Sequence, residues 1–204
     1  MRGACLARRQ PARRGVGQIH WRPADGRLHD GTVTWTAPEY ERTDEPFAGG
    51  ERLMLDGFLD YRRASLLMRC SGLTAGQLAE RSVPPSSLSL LGLVRHLTDV
   101  ERTYFRQRWG HEEIASYYST PDRPDGAFGD VDPGYAQRDL ERLVAEQDAA
   151  RRAVAGLPLD TIFINELWGE MSLRWALLQM IAEYAAHSGQ ADLLRERIDG
   201  KRGW

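Results

Sequence analysis

Cysteine is almost missing from this 204-residue chain. Cys5 and Cys70 form no CxxC pair and no disulfide framework, which excludes a disulfide-stapled scaffold and suits a reducing compartment. Long apolar runs are missing too. None approaches the ~20 residues that a membrane span needs, and the Arg-rich N-terminus lacks the apolar core of a secretion signal. The expectation is a cytoplasmic protein with no membrane partner. Lysine is reduced to Lys201 among 27 basic residues, a bias of the kind a GC-rich genome leaves and one with no physical role to assign. No P-loop, dinucleotide fingerprint, serine-nucleophile elbow or HExxH occurs, which removes the motif-borne nucleotide, hydrolase and zincin readings. The formal charge of −2 hides an asymmetry. Residues 1–32 hold seven Arg against two Asp, leaving 20 basic and 27 acidic side chains in the remainder. That acidic body is a poor starting point for a nucleic-acid binder.

A hydrophobic fraction of 42% supplies a real core, and 27% charged residues is ordinary for a soluble domain. Residues 1–32 show no period and many Arg, Gly and Pro, so they read as a disordered extension. A basic arm or transit peptide is one reading of it; an upstream extension from a misplaced start, with Val33 as the true first codon, is the other. Residues 33–204 then form the domain. Thr34 to Ala48 reads as an extended acidic segment wrapped on the surface. Helix periodicity follows over about 51–70, with Met54, Phe58, Tyr61 and Met68 inward, and over 90–109, with Leu93, His96, Val100 and Tyr104 inward. It returns over 135–155, with Leu140, Leu143, Gln147, Ala150 and Val154 inward, and over 172–200. Residues 110–134 are too long and irregular for a plain connector and suggest a binding loop carrying Tyr117, Tyr118 and Phe128. Ile162 to Ile164 suits a small hairpin or an extended edge. The expected architecture is all-α, a four-helix bundle with long loops.

The last of these helices carries the chemistry. Leu173, Ala176, Met180, Glu183, His187, Gln190 and Leu194 follow at alternating steps of three and four, which draws one inward stripe. Glu183, His187 and Gln190 are consecutive polar positions on it. A buried carboxylate or imidazole costs several kcal/mol, roughly, unless something compensates it. A metal ion is one compensator, and Glu and His at i and i+4 point their ends at a common volume. If the 90–109 helix is a neighbour, His96 joins them, and two imidazoles with one carboxylate leave a divalent ion an open position. Gln190 suits a second-shell amide that fixes an imidazole tautomer. Each residue also has a plain reading. An inward histidine is usually a hydrogen-bonded core residue, Glu183 can bridge to Arg95 or Arg174, and Tyr61, Tyr104, Trp175 and Tyr184 can simply fill the core. Cys70 reads as a small buried hydrophobe rather than a nucleophile.

The stretches SVPPSSLSLLGLVRHLTDVER (82–102) and SLRWALLQMIAEYAAHSGQADLLRERIDG (172–200) resemble the DinB-like four-helix superfamily, in particular its actinobacterial branch of mini-circle proteins. The resemblance covers about 33–203. It implies an up-down-down-up bundle with a divalent metal, zinc or nickel, between the second and last long helices. Most of the superfamily uses three histidines. A relative with mycothiol-dependent maleylpyruvate isomerase activity uses His, Glu and His, which this chain matches at His96, Glu183 and His187. Gln179 and Gln190 stand where histidines are common in the close branch, although Gln190 fits an HxGQ form found elsewhere. The implied function is a metal-dependent enzyme of the thiol S-transferase or isomerase kind, in which a low-molecular-weight thiol such as mycothiol attacks a small electrophilic molecule. A metal-dependent hydrolase and a non-catalytic, stress-associated helical protein are the alternatives, and a homodimer is compatible with all three.

Overall fold

The structure is a computed structural model that describes residues 28–29, 32–33 and 35–202. It is mostly helical. The elements are β1 (Leu28–His29), β2 (Thr32–Val33), α1 (Glu51–Cys70), α2 (Ala75–Ala79), α3 (Leu90–Glu101), α4 (Gly126–Gly129), α5 (Ala136–Ala153), β3 (Ile162–Asn165), β4 (Gly169–Ser172) and α6 (Leu173–Asp199). The strands form two antiparallel pairs, β1 with β2 and β3 with β4. The disordered extension expected over 1–32 falls outside the described residues except for Leu28–His29 and Thr32.

Local chemistry sets most of the helix ends. The Ser89 hydroxyl accepts from the Gly92 amide at the start of α3, and the Ser172 hydroxyl accepts from the Trp175 amide at the start of α6. Gly200 ends α6 in the left-handed conformation that glycine adopts without penalty. Thr74 and Gln77 close a capping box on α2. Beyond Glu101, α3 continues as a π-helical stretch from Arg102 to Trp109, and the Gly110 amide donates to the Phe105 carbonyl five residues back. The wider π turn keeps every fourth residue on one side. Glu101, Phe105 and Trp109 are buried, with Arg102 beside them, and the expected inward residues Val100 and Tyr104 are only half-buried.

α1 packs along α6, α3 along α5, and α3 crosses to α6. The contacts give directions. Arg174 pairs with Glu51 and Arg69 with Asp192, so α1 and α6 run the same way. Arg95 faces Asp139 and Arg102 pairs with Glu146, so α3 and α5 also run together. His96 meets Glu183 while Tyr104 stacks on Trp175, so α3 and α6 are antiparallel.

Two further inward stripes differ from expectation. On α1 the core face is Leu59, Leu66, Leu67 and Cys70, with Arg63 buried among them; Met54, Phe58, Tyr61 and Met68 lie beside it, half-buried. On α6 the buried line runs through Leu173, Ala176, Met180, Tyr184, Ala191 and Leu194. Alternating steps of three and four average 3.5 residues, whereas a straight helix turns every 3.6, so the projected stripe drifts by ~20° per heptad. Glu183, His187 and Gln190 consequently flank the core instead of sitting in it. The α5 stripe matches: Leu140, Leu143, Gln147, Ala150 and Val154 are all buried. The 34–48 segment is not wholly superficial, because Ala37 and Tyr40 enter the core and the Ala37 amide donates to the Leu73 carbonyl.

Candidate metal centre

His96 from the middle of α3 and the pair Glu183 and His187 from the middle of α6 converge. His96 Nε2 and His187 Nε2 each lie 3.1 Å from the same oxygen, Glu183 Oε1. The two imidazoles stand edge to face, with centroids 4.7 Å apart. All three groups are half-buried, so their tips are neither in bulk water nor sealed in the core. Gln190 does what an outer-layer amide would do: its Oε1 lies 2.7 Å from His187 Nδ1 and accepts a hydrogen bond from the N–H there. The expected bridges from Glu183 to arginine do not form. Arg174 pairs with Glu51, and Arg95 donates to the Asp130 and Gly126 carbonyls.

His187 is thus bracketed by two acceptors, Gln190 Oε1 on one side and Glu183 Oε1 on the other. A neutral imidazole has one N–H and can satisfy only one of them. The second nitrogen needs an extra proton or a cation between it and the carboxylate. Burial pulls the His187 pKa down, but the hydrogen bonds it makes to Glu183 and Gln190 outweigh it and leave it raised. The same contacts, from His187 and then His96, hold the Glu183 carboxyl down to about 2. A divalent cation fits too, because one donor atom from each residue lies within 4.8 Å of the other two. Metal–ligand bonds of about 2 Å would span that spread with small side-chain adjustments.

The 110–134 loop takes part, and it is pinned rather than free. The Asp99 carboxylate on α3 accepts from the amides of Tyr117, Tyr118 and Ser119, and Arg95 ties down Gly126 and Asp130 from the same helix. Between those anchors Phe128 lies stacked on the His96 ring at 5.0 Å. The sequence marks Phe128 only as one loop aromatic, and its register against His96 depends on the fold.

A family model described as mycothiol-S-transferase matches residues 54–200. The chain belongs to the mycothiol-S-transferase family, a DinB-like family. No curated protein and no solved structure matches the chain. The family match spans all three convergent residues and Gln190.

This mycothiol-S-transferase family member also holds a second polar group, in the core directly behind Glu183. Tyr184, fully buried, donates to Glu101 Oε1 at 2.9 Å, and Gln147 Nε2 donates to the Tyr184 hydroxyl at 3.1 Å. Arg63 Nε and Nη2 donate to the two Glu101 oxygens at 2.7 and 2.6 Å. Burial and Glu101 push the Tyr184 phenol well up, so it stays protonated. Sequence reading missed Arg63 and Glu101; the signal was available, since Arg63 sits four after Leu59 and three before Leu66 on the apolar face. Tyr184 fills the core as expected, whereas Trp175 is exposed. Cys70 is sealed in the interior, with its thiol pushed up to about 12 by burial. It is no nucleophile at neutral pH.

Proposed function

We propose that this protein is a metal-dependent thiol S-transferase, with His96, Glu183 and His187 as ligands of one divalent ion and mycothiol or a related low-molecular-weight thiol as co-substrate. The family match supports the thiol. The observation that carries the metal is the bracketing of His187 between two acceptor oxygens, with His96 aimed at the same carboxylate oxygen. When bound, such an ion, zinc or nickel, supplies the Lewis acidity that keeps a thiol ionised near neutral pH. The residues do the rest. Gln190 holds the His187 proton on Nδ1 and so leaves Nε2 bare for ligation. Glu183 contributes one negative charge, so a divalent centre keeps net positive charge. Phe128 covers one face of His96 and limits water there. In the transfer itself the thiol proton passes to solvent, the sulfur forms a bond to an electrophilic carbon of a small molecule, and a leaving group departs from that carbon with its bonding electron pair.

The same reading takes residues 33–204 as one DinB-like four-helix bundle, running up-down-down-up through α1, α3, α5 and α6. The parallel pairs α1 with α6 and α3 with α5, and the antiparallel α3 and α6, support that order. The cytoplasm is the compartment proposed. Among the described residues no helix is long and apolar enough to cross a membrane.

The test is elemental analysis of untagged protein after incubation with zinc or nickel. About one equivalent of bound metal is expected, with loss in His187→Ala. Less than about one-tenth of an equivalent in the parent, or equal metal in parent and variant, overturns the assignment.

A further inference from the structure

Eight residues from His96 along α3, and eight residues back from Glu183 along α6, the two helices make a second contact. Tyr104 and Trp175 stack there, with centroids 6.2 Å apart and rings inclined by 24°. Because α3 and α6 are antiparallel, equal offsets in opposite directions place both contacts in one seam. They are about 12 Å apart along α6, at 1.5 Å per residue. Gln179 stands between them, one turn from Glu183. The stack opens onto a cleft of about 640 Å³ lined by Tyr104, Trp168, Glu170, Ser172, Trp175 and Gln179. Trp168 belongs to the turn of the β3–β4 hairpin and is 64% exposed; Trp175 is 39% exposed.

Exposed indoles do not pack a core, and hydroxyl, carboxylate and amide groups beside them do not suit a purely apolar guest. Flat aromatic faces bordered by hydrogen-bonding groups suit a sugar or cyclitol ring, whose C–H faces stack while its hydroxyls bond at the edges. Reach agrees. In mycothiol the sulfur is carried on a cysteinyl arm joined to a glucosaminyl-inositol, and that arm spans about 6 Å when extended. Gln179 lines the cleft one helical turn from Glu183, so a thiol whose sulfur reached the His96–Glu183–His187 centre would carry its sugar portion along α6 towards Trp175.

We infer that the Trp168–Trp175–Tyr104 cleft is the subsite for the glucosaminyl-inositol part of the thiol co-substrate, an inference that rests on the thiol reading above for its orientation. The subsite then selects a sugar-bearing thiol over a bare one.

Two measurements test it separately. In metal-free protein, tryptophan emission is followed during titration with glucosaminyl-inositol, which carries no sulfur. A saturable change in the parent, lost in Trp175→Ala and in Trp168→Ala, is expected. In cobalt-substituted protein, the thiolate band is followed with mycothiol and with N-acetylcysteine. The parent is expected to prefer mycothiol by about tenfold, the order that one aromatic contact supplies. Both variants should bind N-acetylcysteine as the parent does and lose the preference. Trp168 lies on an exposed hairpin turn, so its variant keeps the experiment informative if Trp175→Ala fails to fold. No emission change in the parent, or an undiminished preference for mycothiol in folded variants, overturns the subsite. A cobalt spectrum blind to every thiol removes the transferase reading instead, and the metal-free titration still decides the cleft.

Discussion

His187 Nδ1 and Nε2 face Gln190 Oε1 and Glu183 Oε1, and the occupant of that gap governs how the site responds to pH. In metal-free protein the Glu183 carboxyl is held down to about 2 from its ordinary 4.5, so its contribution to stability is present above 4.5 and lost as pH falls towards 2. The His187 pKa is raised above 6.5, so its contribution is present below 6.5 and lost as pH rises through the folded value. Thermal melts of metal-free parent and His187→Ala should therefore differ most between pH 4.5 and 6.5, and converge towards either extreme. Metal uptake has the opposite sign. It displaces the imidazolium proton, so affinity should fall as pH drops, with proton release measurable by calorimetry in two buffers of different ionisation enthalpy. Gln190→Ala should keep one bound equivalent and weaken affinity by about 10-fold, because only the orientation of His187 is lost; unchanged affinity would remove Gln190 from the site.

Elements bring these residues to one place, and here sequence and structure part company. Four long helices were legible from spacing, as was the α5 face down to Gln147; Ile162 to Ile164 read as either a hairpin or an extended edge, and it is the first strand of a hairpin. The pairing of His96 with the α6 residues needed recognition of a family pattern, because nothing local says which helices are neighbours. The drift of the α6 stripe was hidden, since a 3.5 average and a 3.6 average look alike over two turns. The π-helical stretch was hidden as well; Glu101, Phe105 and Trp109 at steps of four also fit an ordinary helix face. The pinned loop is the element to perturb. A methyl group on Gly126 would run into the Tyr118 carbonyl, so Gly126→Ala should displace the segment that holds Phe128 on His96. Crystallography or aromatic nuclear Overhauser contacts between residues 96 and 128 check this, with loss of the contact expected. Ser172→Ala removes the α6 cap and should cost about 1 kcal/mol in urea denaturation.

Across the whole molecule, the Arg63–Glu101–Tyr184–Gln147 group joins α1, α3, α6 and α5 at one level. It lies one residue from Glu183 and five from His96, so it sets the register of the two helices that carry the site. Arg63→Ala leaves the Glu101 carboxylate buried without its counter-charge and should destabilise by about 3–5 kcal/mol in chemical denaturation. Tyr184→Phe keeps the ring and should cost far less, on the order of 1 kcal/mol. A loss from Arg63→Ala no larger than that from Tyr184→Phe would mean the pair is not holding the helices. Removing residues 1–32 should leave both folding and metal content unchanged, measured by melting and elemental analysis; a large loss of either would make that segment part of the domain.

The imidazole on α3 and its carboxylate partner on α6 are separated by 87 positions in the chain. Synthesis runs from one to the other, so a nascent polypeptide on the ribosome displays residue 96 long before the final helix emerges to meet it. On the proposed ligand set, loading of an ion waits for that helix, and a product truncated before it lacks two of the three ligands.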